Sequence, residues 1–340
     1  MEFRKSCCFK VGGGVLSWQE KARKELAGLL GMERIFSEPR VDLDPQLIWE
    51  RRNQYGKITK LSLQMDADFR NLVYVCIPDN AASPCRTFIC LQGHTTGMHQ
   101  SLAVDYDDET TPIETVPDDD FAIGCMKRGI AAICLEQRAF GYNSRDENHR
   151  HECMFHAMRA LLVGETLLAQ RIFDVDRVID YIYSREDLVH DSIGVMGNSG
   201  GGTVSLFSGA MLPRVTHVMP SCCFSSFEKS IYSLRHCTCN YVPHLMHWGE
   251  SSDVAGLIAP KPLVIVNGAQ DPIFPLEAAK EQFSMLKNIY AAAGAEDKCV
   301  HVVGEARTLS LCLYTHVGKR YVHSRAKAGF DPPVHHPSVR

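Results

Sequence analysis

The feature that most constrains the fold of this chain is a regular alternation of short apolar runs and helical patterns. Apolar runs of strand length with little polar interruption are typical of parallel strands that are buried on both faces. Six such runs occur, at residues 87–91, 129–136, 192–197, 214–221, 261–268 and 298–303. Helical patterns separate most of them, at residues 119–128, 154–184, 200–212 and 275–293. The alternation predicts an α/β fold with a mostly parallel central sheet and helices on both faces.

The chain before this alternation has a different pattern. Residues 17–30 predict an amphipathic helix, with Ser17 as its N-cap and Gly31 as its end. Two further runs, residues 57–64 and 71–78, predict an antiparallel pair of strands.

Domain boundaries follow from these patterns. We predict an N-terminal helical extension over residues 1–50 and a single α/β domain over residues 51–304, since no linker divides it. Residues 222–260 interrupt the alternation and are rich in Cys, Ser, His and aromatic side chains. We interpret them as a lid-like insertion above the carboxyl ends of the strands, where loops converge.

Composition excludes several classes of protein. The net charge of −4 provides no basic field for nucleic acid or an anionic membrane. No apolar run approaches the roughly 18 residues of a membrane span, and the first residues do not resemble an export signal. The 14 cysteines are scattered, and Cys76, Cys90 and Cys134 lie inside apolar runs, as buried reduced thiols do. We therefore expect a cytoplasmic protein that has neither membrane nor nucleic-acid partners.

The chemistry centres on Ser199, which lies between glycines where a predicted strand meets a predicted helix. The pattern Gly-x-Ser-x-Gly, with Gly197 and Gly201, is that of a nucleophile elbow, in which a sharp turn exposes the serine hydroxyl. A phosphate loop would need a Gly-Lys-Ser/Thr ending, and the dinucleotide pattern of three spaced glycines is also unmatched. A tight turn without a catalytic role is the alternative that stays open.

A nucleophilic serine needs oxyanion donors and an orienting acid. The backbone N–H of Gly200 lies at the start of the following helix, and His94 follows Gly93 in a loop after an earlier strand. We predict these two N–H groups as the oxyanion donors; a glycine turn without a role is the alternative for the His94 loop. Asp271, after the strand at 261–268, is the predicted acid, although an Asx turn before a helix would place an aspartate there too.

Together these segments resemble the α/β-hydrolase superfamily, and more narrowly its branch of dienelactone hydrolases and acetyl xylan esterases. The segments that carry the resemblance are residues 91–99, 136–143, 197–202, 236–243 and 258–275. The resemblance implies an α/β-hydrolase fold and a serine hydrolase that cleaves a small carboxylic ester, such as an acetylated carbohydrate, through an acyl-enzyme. It implies no cofactor and no metal. A serine peptidase of the same fold is a further alternative, ranked last because no propeller-sized region precedes the domain.

The catalytic base is the point at which this sequence departs from the family pattern. A motif similar to Gly-Gly-His-x-Phe should follow the last strand, but the first histidine after Glu305 is His316, a weak candidate. His301 lies within the strand and is discounted. Residues 305–340 are an atypical basic tail, which we hypothesise to be frame-shifted. The alternative function is therefore a catalytically impaired protein that keeps the hydrolase fold.

Two predictions concern the remaining polar residues. The segment that holds His236, Cys237, Cys239, His244 and His247 has the side chains of a zinc site, but its Cys-x-Cys spacing is tighter than the usual Cys-x-x-Cys. We interpret it as a packed lid without a metal. Arg138 and Tyr142 either line the substrate pocket or, for Arg138, brace a loop through an ion pair. The sequence does not determine the oligomeric state.

Overall fold

A nine-stranded sheet forms the centre of the protein. The computed structural model describes residues 4–94, 97–115, 119–145 and 151–305. The strands are β1 (Gln46–Asn53), β2 (Gly56–Gln64), β3 (Arg70–Pro78), β4 (Cys85–Leu91), β5 (Ala131–Leu135), β6 (Leu188–Asn198), β7 (His217–Ser221), β8 (Leu263–Gly268) and β9 (Cys299–Gly304). Their spatial order is β1-β2-β3-β5-β4-β6-β7-β8-β9.

The sheet is antiparallel at one end and parallel over the rest. Strands β1, β2, β3 and β5 pair in antiparallel fashion, whereas all the pairs from β5 through β4 to β9 are parallel. The predicted antiparallel pair is confirmed as β2 and β3, and the predicted mostly parallel sheet is confirmed. Strand β1 was not predicted, because its side chains are exposed or half-buried and show no continuous apolar run.

Helices cover both faces of the sheet. They are α1 (Val15–Leu30), α2 (Met32–Ser37), α3 (Phe121–Met126), α4 (Cys153–Leu162), α5 (Leu167–Tyr183), α6 (Gly200–Met211), α7 (Leu245–Trp248), α8 (Ser251–Gly256) and α9 (Leu276–Ala292). Alternate residues of one strand belong to different cores: Val75 belongs to the cluster that includes residues of α1, α5, α6 and α9, whereas Tyr74 belongs to the cluster that includes residues of α3. This period of two is what a sheet buried on both faces requires.

The helix predicted over residues 154–184 is in fact two helices, α4 and α5. Gly164 has a φ of +78°, which breaks the helix, and the N–H of Glu165 bonds back to the carbonyl of Ala160. Thr166 then caps α5, with its hydroxyl accepting a hydrogen bond from the N–H of Ala169 at 3.1 Å. The periodic apolar pattern runs across this break, so periodicity alone did not reveal it.

Residues 222–260 contain α7, α8 and two short turns, at Glu228–Tyr232 and Thr238–Asn240. The N-terminal segment fastens α7, since the N–H groups of Ser6 and Cys7 donate to the carbonyls of His247 and Trp248 at 2.9 and 2.8 Å. Across the described part of the chain, none of the helices has the length and apolar character needed to cross a bilayer.

Candidate active site

Ser199 occupies the turn between β6 and α6. Its φ of 51° and ψ of −115° lie outside the regions that non-glycine residues favour, and such strain persists only where the surroundings enforce it. The N–H of Ser199 donates to the carbonyl of Ser221 in β7 at 2.9 Å. The side chain is half-buried and lies at the carboxyl end of the parallel strands, which is where ligands bind in open α/β sheets.

The two glycines of the motif are required by close backbone contacts. A Cβ at Gly201 would lie 2.1 Å from the carbonyl oxygen of Leu91, and one at Gly197 would lie 2.5 Å from the same atom. The turn therefore fits between β4 and α6 only because both residues lack a side chain. The nucleophile elbow at Ser199, and the role of Ser199 as a nucleophile, stay predictions.

The loop after β4 lies directly against Ser199. A Cβ on Gly93 would be 3.3 Å from the Cβ of Ser199, so the backbone of this loop is in contact range of the serine. The side chain of His94 also faces the serine, with Nδ1 3.5 Å from Ser199 Oγ, at the outer limit of a hydrogen bond. The ring requires Gly200 to be a glycine, because a Cβ there would lie 2.7 Å from Cε1 of His94.

His94 therefore contributes an imidazole as well as the predicted backbone N–H, and the sequence analysis did not foresee the ring. Its other ring nitrogen, Nε2, lies 3.1 Å from Sγ of Cys239. Burial lowers the pKa of His94 below its usual value. The assignment of the His94 and Gly200 N–H groups as oxyanion donors stays a prediction.

Asp271 follows β8, as predicted, and is buried. Its Oδ1 accepts hydrogen bonds from the N–H groups of Ile273 at 2.9 Å and Phe274 at 3.1 Å. Burial raises the pKa of Asp271. These contacts are those of the Asx-type turn that the sequence left as an alternative. Among the described residues, no imidazole is hydrogen-bonded to this carboxylate, so its catalytic role stays a prediction.

The histidine that would complete a triad is not among the described residues near Asp271. His316 and the rest of the basic tail from residue 306 lie outside the described residues. His301 lies in β9, where Nε2 is 3.0 Å from Oδ1 of Asn267 and burial lowers its pKa to about 4. His236 lies against the carbonyl of Ile273 and the hydroxyl of Ser230, at 3.2 and 3.1 Å from Nε2.

Comparison with known proteins identifies the architecture. No family model matches the chain. A solved structure from Bacteroides fragilis NCTC 9343, provisionally described as an acetyl xylan esterase, superimposes with a TM-score of 0.73 at 15% identity, covering 90% of this chain and 80% of that one. The chain has the α/β-hydrolase fold.

Further solved structures share this fold. The methylesterase BT1017 gives a TM-score of 0.66 at 20% identity over 84% of this chain and 58% of its own. A glucuronoyl esterase from Solibacter usitatus gives a TM-score of 0.61 at 14% identity, covering 90% of this chain and 93% of its own. In sequence, the chain is 32% identical over 149 residues to YtaP of Bacillus subtilis (strain 168), provisionally described as a hydrolase. That match spans 43% of this chain and half the length of YtaP.

Arg138 forms ion pairs with two carboxylates. Its guanidinium bonds both carboxylate oxygens of Asp174 in α5 at 2.8 and 2.9 Å, and Asp66 at 2.7 Å. Of the two readings left open, the ion pair is the one observed. The hydroxyl oxygen of Tyr142 lies 2.7 Å from Oε1 of Glu109 and 2.8 Å from the carbonyl oxygen of Tyr106, so its one proton has two acceptors within reach.

A cluster of one histidine and three cysteines adjoins Ser199 on this fold. The donor atoms of His94, Cys153, Cys237 and Cys239 all lie within 4.8 Å of one another. Two of these residues belong to the segment we interpreted as a metal-free lid, but Cys153, at the start of α4, was not singled out. His236 lies elsewhere, as described above. The four residues do not form a motif of short spacing in the sequence, so only the folded structure shows that they are close together.

Hydrogen bonding favours the anionic form of the Cys153 sulfur. Hydrogen bonds from Cys237 and Cys239, together with the charge of Arg171, lower the pKa of the Cys153 thiol well below its usual value, against the effect of burial. Nη2 of Arg171 lies 3.3 Å from Cys153 Sγ. The site thus joins a strained serine to a group of thiols through one imidazole ring.

Proposed function

We propose that the protein is a serine hydrolase that cleaves carboxylic esters through an acyl-enzyme on Ser199. The observation that carries the proposal is the strained, half-buried serine between β6 and α6, packed against the glycine-containing loop of β4. A sharp turn of this kind presents the hydroxyl to a substrate while leaving N–H groups beside it. The esterases among its structural neighbours support the same reaction class.

The proposed reaction has two halves. In the first, Ser199 Oγ loses its proton to a base and attacks the ester carbonyl carbon, and the N–H groups of His94 and Gly200 stabilise the negative oxygen of the tetrahedral intermediate. The C–O bond to the alcohol breaks, and the alcohol leaves with a proton. In the second half, water attacks the acyl-serine and releases the acid. Asp271 would orient the base, for which His316 is a weak candidate.

The proposed substrate is a small carboxylic ester, with carbohydrate-linked esters as the first class to test. Acetyl xylan, methyl and glucuronoyl esters appear in the names of the structural neighbours. These differ in whether the sugar supplies the alcohol or the acid. A panel containing an acetylated sugar and a sugar-acid methyl ester would show by kcat/KM whether the sugar supplies the alcohol or the acid. In the same panel, p-nitrophenyl acetate serves as an ester without a sugar.

A catalytically impaired hydrolase is the second candidate. It is favoured by the absence of the Gly-Gly-His-like motif directly after β9 in the sequence. Without a base, the serine remains a weak nucleophile, and only the part of catalysis due to the oxyanion donors and binding would persist.

Labelling with a fluorophosphonate probe distinguishes the two candidates. The wild type, Ser199→Ala and the exposed control Ser37→Ala would be treated with the probe and assayed with p-nitrophenyl acetate. An active enzyme gives labelling and turnover that are lost in Ser199→Ala and kept in Ser37→Ala. Background labelling in all three proteins supports the impaired candidate, and turnover that survives in Ser199→Ala overturns the proposal.

A further inference from the structure

The cluster beside Ser199 consists of the side chains that zinc prefers. Three thiol groups and one imidazole come from three separate segments: the loop after β4, the first residue of α4 and the turn at Thr238–Asn240 with its flank. A Cys₃His set is one of the common ligand sets of four-coordinate structural zinc. Soft thiolates favour zinc over the oxygen-seeking cations. We propose that His94, Cys153, Cys237 and Cys239 bind one zinc ion.

The distances fit a tetrahedral ion. Zinc–sulfur bonds of about 2.3 Å put the ligand atoms of a tetrahedron roughly 3.8 Å apart. Sγ of Cys237 and Sγ of Cys239 are 3.4 Å apart, and Nε2 of His94 is 3.1 Å from Cys239 Sγ. No pair in the set exceeds 4.8 Å. The separations of these ligand atoms thus lie within about 1 Å of the tetrahedral value.

Arg171 balances the charge of such a site. Three thiolates around a divalent ion leave one negative charge, and the buried guanidinium supplies one positive charge beside Cys153, at 3.3 Å. Arg171 also donates to the carbonyl of Arg138 at 2.6 and 3.1 Å, and its carbon CZ lies 4.2 Å from the ring centroid of Phe140. Within the described residues it pairs with no carboxylate. A buried cation without a carboxylate needs an anionic group nearby, and the thiolates are that group.

The ion would fasten the lid-like insertion to the loop that holds His94. Because all four positions are filled by protein ligands, the site is closed and therefore structural in type. With Nε2 on the ion, the proton of His94 resides on Nδ1, which then donates towards Ser199 Oγ. His94 could therefore orient the serine but could not take its proton, so a base would still have to come from elsewhere.

Zinc content of the full chain tests the proposal. The protein would be purified under reducing conditions, reconstituted with Zn²⁺, freed of excess metal and measured for zinc per chain by plasma mass spectrometry. The variants are Cys153→Ser and Cys239→Ser, with Cys8→Ser as a matched control because Cys8 lies outside the cluster. We expect one zinc per chain in the wild type and in Cys8→Ser, and at least a tenfold loss in the double variant Cys153→Ser/Cys239→Ser.

Cobalt substitution in the wild type keeps the test independent of how the variants fold. Co²⁺ bound by three thiolates gives an intense ultraviolet charge-transfer band and visible bands of tetrahedral strength. Absence of these bands together with less than a tenth of a zinc per chain overturns the proposal. Zinc retained in a folded double variant overturns it as well, as does a Cys237–Cys239 disulfide found in the reduced preparation. Ser199→Ala should bind zinc normally, so failure of the hydrolase proposal would leave this result unchanged.

Discussion

The imidazole of His94 lies against Ser199, with Nδ1 3.5 Å from Oγ and the ring in the space that a side chain on Gly200 would need. The same ring reaches Cys239 through Nε2. One side chain thus connects the strained turn of β6 and α6 to the segment that holds Cys239. Any change that moves this ring alters the serine environment and the thiol cluster together.

Gly201→Ala should destabilise the protein by about 3 kcal/mol, the upper part of the range for overpacking a tight site. The reason is the clash of 2.1 Å between the new Cβ and the Leu91 carbonyl oxygen. Gly28→Ala is the matched control, since nothing lies within 4 Å of a Cβ there and the residue is exposed in α1. That change should stabilise by about 0.5–1 kcal/mol. Urea unfolding of both variants measures the contrast, and equal midpoints would contradict it.

Arg138→Ala should destabilise the protein by about 3–5 kcal/mol, because it leaves the carboxylate of Asp174 buried without its partner. Asp174 has a side-chain exposure of 1%. The control is Arg52→Ala, which breaks the Arg52–Asp79 pair, whose side chains are each 60% exposed. Loss of that pair should cost less than about 1 kcal/mol. Thermal or urea unfolding would give the comparison, and a similar cost for both changes would refute the buried-pair interpretation.

Glu136 should make stability fall as pH rises. It is buried and accepts N–H groups of Met98 and Tyr142, each at 3.2 Å, yet burial dominates and raises its pKa to about 8. Between the pKa of a free glutamate, about 4.3, and 8, the folded state holds a proton that the unfolded state has lost. Folding therefore binds protons in this window, and the free energy of unfolding decreases with increasing pH.

The effect of Glu136 on the free energy of unfolding is best measured from pH 6.5 to 8, where the two histidines with lowered pKa values contribute little. The half-buried His217 and His301, each with a pKa lowered by desolvation to about 4, give the opposite slope, but only between pH 4 and about 6.5. In Glu136→Gln the downward slope from 6.5 to 8 should shrink relative to the wild type. The exposed control Glu277→Gln should keep the wild-type slope. Urea midpoints in half-unit pH steps measure it; identical slopes in all three proteins would count against a neutral Glu136.

Much of the fold could be predicted because its strongest sequence pattern reflects burial. Strands β4, β5, β7 and β8 are short, mainly apolar runs that are almost entirely buried, since this part of the sheet is covered on both faces. The turn at Ser199 was predictable because it needs small residues at fixed spacing, which the sequence shows as Gly197, Ser199 and Gly201. Strand β1 is exposed and half-buried, so no such pattern marks it. The break at Gly164 escaped notice because apolar residues continue through it.

The candidate site could be predicted only in part, for a related reason. Ser199, Gly200 and Asp271 follow directly from strand ends, and the structure puts them at β6, α6 and β8. The cluster of His94, Cys153, Cys237 and Cys239 joins segments that are distant in sequence. Their proximity depends on how α4 and the insertion pack against the loop after β4. Spacing rules for zinc sites describe ligands that are close along the chain. Here the ligands come from three segments that are far apart in sequence, so those rules could not identify the cluster.

The hydrolase proposal requires that Ser199 forms a covalent acyl intermediate. Rapid acid quench of the wild type with excess p-nitrophenyl acetate, followed by intact-mass measurement and peptide mapping, tests it directly. We predict one acetyl group per chain, mapped to Ser199 and absent in Ser199→Ala. An acetyl group on a different residue, or sustained hydrolysis in Ser199→Ala at the wild-type rate, would contradict the claim.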